Sequence, residues 1–95
     1  MRYEIMLILK PTLSEEELAQ AIEKYASILS DKSAKVVNSQ KKGSQELAYE
    51  IKNFKTGFYH LFEVEATDDA TTREFDRVAS ISDDVIRHLI TRKGE

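Results

Sequence analysis

Ninety-five residues with 14 basic and 17 acidic side chains carry a formal net charge of −3. A chain this long forms one domain, buries about 65% of its unfolded surface and has little room for a deep internal active site. The absence of cysteine excludes disulfides, thiolate zinc sites, iron–sulfur clusters and cysteine nucleophiles. The acidic balance argues against binding nucleic acid through bulk positive charge, so any such binding must be local or shared with a basic partner.

The longest apolar run, Ile5 to Leu9, is too short to cross a membrane. Met1 leads straight into strand-like sequence with no basic n-region, so the expected compartment is the cytosol. Glycine and proline are sparse: Gly43, Gly57, Gly94 and Pro11. That predicts one compact domain over residues 1–95 with short connections and no linker.

The first predicted element is a strand from Arg2 to Lys10. Tyr3, Ile5, Leu7 and Leu9 share one face, and Glu4, Met6, Ile8 and Lys10 the other. Pro11 ends it. A helix over about residues 15–30 follows. Ser14 and Glu17 have capping-box spacing, and Leu18, Ile22, Tyr25 and Leu29 recur at helical spacing. Val36 and Val37 open a second strand, which weakens from Asn38 to Gly43 and resumes at Leu47, Tyr49 and Ile51. Gly43 inside it predicts a bulge or a bend.

Asn53 to Gly57 read as a hairpin turn, and Phe58 to Ala66 as a third strand. Thr67, Asp68 and Asp69 are candidate N-caps for a second helix with a thin stripe of Phe75, Val78 and Ala79. Ser82-Asp83-Asp84 is a turn, and Val85 to Thr91 the last strand. The order β-α-β-β-α-β predicts an α+β, ferredoxin-like split β-α-β fold (βαββαβ). This is a four-stranded antiparallel sheet with two helices on one face.

Two helices cover only one face of such a sheet, and the open face is then expected to be polar. Here it is not. Met6 and Ile8 back the first strand, and the third and fourth strands carry apolar groups on both faces. Contiguous apolar exposure marks a partner surface. The bland alternative is a bulge that mixes the faces, or long lysine and arginine stems lying over the patch. The partner-face candidates are Met6, Ile8, Tyr49, Phe58, His60 and Leu89.

Nothing in the pattern asks for an enzyme, a metal, a cofactor or a small-molecule substrate. Glu15-Glu16-Glu17, Asp68-Asp69 and Asp83-Asp84 read as helix-start charges, caps and turns. His60, alternating with Phe58 and Phe62, reads as a half-buried structural or interface residue before a ligand. There is no phosphate-cradling glycine loop. RNA-recognition domains share this fold, but Lys55 to Phe62 departs from their third-strand pattern where bases stack. Arg87 and His88, with Arg92 and Lys93, meet Arg2 and Lys10 if the first and last strands pair. Together they form a basic patch suited to phosphate, against the plain alternative of a solvated strand end.

Met1-Arg2-Tyr3-Glu4-Ile5, then Gly43-x-x-x-Leu47-Ala48-Tyr49-x-Ile51, then Gly57-Phe58-Tyr59 and Asp84 to Ile90 together resemble the bacterial small-subunit ribosomal protein six family. The resemblance runs the whole chain in order. It implies the same split fold and a scaffold role on the platform of the small ribosomal subunit. It implies pairing with the basic ribosomal protein eighteen and binding of small-subunit rRNA at a helix junction. It makes Arg2 and Arg87 the best rRNA candidates, with Arg92 and Lys93 at the basic end of the last strand. Ser44-Gln45-Glu46 stand where many relatives carry two arginines, Glu50 stands where a proline is common, and the chain ends at Glu95 without the long acidic tail of some relatives. The rivals are a homodimerising regulatory module of the same fold without RNA binding, and a small enzyme such as an acyl-phosphate hydrolase.

Overall fold

A computed structural model describes residues 1–30 and 34–93. The chain end at Glu95 lies outside the described residues. The elements follow the order β1 (Arg2–Leu9), α1 (Glu15–Leu29), β2 (Ala34–Ile51), β3 (Phe54–Ala66), α2 (Ala70–Ile81) and β4 (Val85–Lys93). The strands form one sheet in the order β2-β3-β1-β4, every neighbouring pair antiparallel. This is the ferredoxin-like arrangement predicted from the element order.

Helix α1 begins as the capping box requires. Ser14 Oγ accepts the Glu17 backbone N–H at 3.2 Å, and Glu17 Oε1 accepts the Ser14 N–H at 2.9 Å. Each satisfies a donor that the helix start would leave unpaired. Leu13 and Leu18 flank the cap at the positions of a hydrophobic staple, and both join the core. Helix α2 starts differently. Its N-cap residue is Asp69, but that side chain makes no cap bond. Asp69 Oδ2 instead takes the Arg73 Nε–H, and Asp68 Oδ1 accepts the Ala70 N–H at 2.9 Å.

Tyr3, Ile5, Leu7 and Leu9 of β1 meet Phe62 and Val64 of β3 under Leu18, Tyr25 and Leu29 of α1 and Phe75 and Ala79 of α2. Both helices therefore cover one face. The Tyr25 and Phe75 rings meet edge to face with centroids 5.4 Å apart.

The hairpin between β2 and β3 departs from expectation. The turn is Lys52-Asn53, both residues at positive φ (51° and 69°), and Ile51 pairs directly with Phe54. Positive φ at both central residues suits the right-handed twist of the flanking strands. Residues 54–57, expected in the turn, belong to β3. β2 is one continuous 18-residue strand whose register slips at Val36/Asn38, Lys41/Gly43 and Glu46/Ile51. Gly43, at φ +82°, occupies the second slip, as its place in the strand suggested.

The candidate docking and nucleic-acid interface

Along β1, alternation puts Glu4, Met6 and Ile8 on the face away from the helices. The register brings Leu61 and Tyr59 opposite Met6 and Ile8 on one side, and Leu89 and Arg87 opposite them on the other. Beyond the end of β1, the distal part of β2 and β3 forms an arm that turns over this face. Met6, Ile8, Tyr59 and Leu89 floor a trough of about 360 Å³, and Leu47, Tyr49 and Ile51 of the arm wall it. Glu4, Arg87 and Thr91 also line it. Tyr49 is 65% exposed and Leu89 48%, while Ile8 is buried. The open face is therefore apolar, as expected, with Ile8 screened by the bent arm.

Four of the six partner candidates thus come together: Met6, Ile8, Tyr49 and Leu89. Phe58 and His60 are set apart from them. They pair with Leu9 and Leu7 and so face the helices. Phe58 packs against the core, and His60 is only 5% exposed. His60 Nε2 lies 2.7 Å from Ser39 Oγ, and its Nδ1 has no partner among the described residues. Burial, and then the nearby Lys41 ammonium, hold the His60 pKa below 6.5. Sequence reasoning missed Leu47, Ile51 and Tyr59 as site residues. Their alternation with Tyr49 along the strands was the available signal.

The six cationic candidates do not form one patch. Because β1 and β4 run antiparallel, Arg2, Arg92 and Lys93 gather at one end of the pair and Lys10, Arg87 and His88 at the other. Most have acidic partners. Arg2 bridges Glu65 at 2.7 Å, Lys93 bridges Glu4 at 2.9 Å and Lys10 bridges Asp84 at 3.3 Å. The Arg2 guanidinium lowers the Glu65 pKa, chiefly by its hydrogen bond, and the Glu4 carboxylate raises that of Lys93. The Arg2–Glu65 pair is exposed and the other two are half-exposed, so solvent screens them and phosphates can compete for the cations. His88 turns toward the helices. It lies edge to face with Phe75 and its Nε2 is 2.7 Å from Asp76 Oδ1. Arg87 points the other way and donates to the Tyr49 hydroxyl at 3.3 Å.

Among the described residues no three metal-binding side chains cluster, and no helix is long and apolar enough to cross a membrane. A four-stranded antiparallel sheet with both helices on one face and an apolar trough on the other defines an α+β protein of the ferredoxin-like split β-α-β class. The model of the ribosomal protein S6 family matches residues 2–92, and the chain belongs to that family of the small ribosomal subunit. It is similar to the crystal structure of 30S ribosomal protein S6 from Thermotoga maritima, with 27% identity and a TM-score of 0.90 over 97% of this chain and 86% of that one.

Proposed function

We propose that the protein is a structural component of the small ribosomal subunit in the cytoplasm. It binds small-subunit rRNA at the platform junction as a heterodimer with ribosomal protein eighteen, and it has no catalytic role. The observation that carries this reading is the apolar trough on the open sheet face in a chain of this family. An acidic protein with such a face gains RNA affinity by sharing the surface of a basic partner. Met6, Ile8, Tyr49 and Leu89 form the partner contact. Arg2, Lys10, Arg92 and Lys93, at the two ends of the β1–β4 pair, supply the phosphate contacts. His88, turned inward on Phe75 and Asp76, orders the strand that carries them.

The test is titration into a platform-junction rRNA fragment, with and without protein eighteen, at two salt concentrations. Weak binding alone, tight binding with the partner and a negative salt slope are expected. Arg2→Ala or Lys93→Ala should each weaken binding and reduce the slope by about one. Absence of binding with the partner present overturns the reading. A stable homodimer without RNA affinity would favour a self-associating module.

A further inference from the structure

The β2–β3 arm reaches across the end of β1 to the opposite edge of the sheet. Two bonds tie it there: Arg87 to the Tyr49 hydroxyl, and Lys52 Nζ to the Val85 carbonyl, each at 3.3 Å. They join residues 38 and 33 positions apart in sequence. The arm's base is pressed as closely. A Cβ on Gly57 would lie 2.6 Å from Ile8 Cγ2, 3.3 Å from the Leu9 carbonyl oxygen and 3.4 Å from Ile86 Cδ1. Only glycine permits this approach without displacing a neighbour. The Gly43 slip bends β2 one stretch earlier. Four separate features thus hold the arm over the open face.

We infer that the arm is a strap held by Arg87, and that it pre-shapes the trough for an apolar segment of the partner protein. Arg87 is then a positioning residue for partner docking and makes no phosphate contact. This rests on the partner reading above and deepens it. The lining of the trough suits a protein segment: its floor is apolar and Glu4 adds a carboxylate that would repel phosphate, while Arg87 directs a donor to the Tyr49 hydroxyl of the arm. A pre-formed wall lowers the ordering cost of association, so loosening the strap weakens docking without removing a contact from the floor.

Two variants separate the roles. Tyr49→Phe removes the hydroxyl acceptor and keeps the ring. Arg87→Met keeps an apolar stem and removes the donor. Amide hydrogen exchange over 47–51 is measured on the free protein. Affinity for protein eighteen is measured without RNA, and the salt slope of RNA binding with it. Both variants should speed exchange in the arm and weaken partner affinity about two- to tenfold, the scale of one hydrogen bond. The salt slope should not change. Unchanged exchange in both variants overturns the strap. A slope reduced by about one in Arg87→Met overturns its assignment, because it marks a phosphate contact. If the unaltered protein does not bind protein eighteen, the partner reading fails, while the exchange data still decide whether the strap exists.

Discussion

At the residue scale His60 carries the clearest consequence. Its ring is buried against Phe62, with one nitrogen on Ser39 and the other without a partner among the described residues. Protonation must place a charge there beside Lys41. A histidine whose folded pKa lies below its unfolded 6.5 binds more protons when unfolded, so acid favours unfolding. Stability should therefore be full above about pH 6.5 and fall as pH drops through that value toward the lowered one. Urea midpoints at pH 7.5 and 5.5 check this, and His60→Gln should flatten the difference. Unequal midpoints that persist in the variant would place the titration elsewhere. Glu65 and Glu74, whose pKa values are lowered by arginine hydrogen bonds, act below 4.5 and so outside this window. The inward setting of His60 was not legible in sequence. The third strand is apolar on both faces, so alternation alone does not say which face meets the helices. Its register with Leu7 decides.

At the scale of elements the helix starts were legible and the arm was not. Local bonds make a capping box, and four residues suffice to read one. Ser14→Ala should cost about 1 kcal/mol and lower Tm by about 4–8 °C in a calorimetric scan. Asp69→Ala should change Tm little, because its side chain caps nothing and its bond to Arg73 is exposed. Gly57 read as a turn glycine, yet it sits within β3 and its need for glycine comes from Ile8, Leu9 and Ile86, far off in the chain. Gly57→Ala should destabilise by about 1–3 kcal/mol through overpacking, measured by chemical denaturation. A neutral result would mean that Ile8 can shift at no cost. The hairpin turn was expected at Asn53 to Gly57 and lies at Lys52-Asn53: Gly57 drew the expectation toward itself, although asparagine tolerates positive φ better than most.

For the whole molecule, element order was enough to predict the sheet and its single helical layer, and the surplus of apolar strand residues predicted apolar groups on the open face. The split of the basic residues was not foreseen. Nearness in sequence placed Arg87, His88, Arg92 and Lys93 together, but an antiparallel strand of nine residues carries its ends far apart. If the trough is the protein-binding face, a charge at its floor should separate docking from folding. Leu89→Asp, at a position 48% exposed, should leave thermal stability nearly unchanged and abolish association with protein eighteen in a gel-filtration or calorimetric assay. Retained association would move the interface elsewhere.

The strand order also bears on how the protein is made. β1, which leaves the ribosome before the other three strands of this sheet, sits in the middle of it, and one of its two neighbours is β4. Its hydrogen-bonding edge on that side stays open until residues 85–93 have been synthesised. At about 5–20 residues per second, that delay is several seconds or more after β1 appears. During that interval the chain holds α1, the β2–β3 hairpin and α2 but cannot close its sheet, and its apolar strand offers a free edge to any neighbour. Synthesis of β4 is thus the step that lets the four-stranded sheet close.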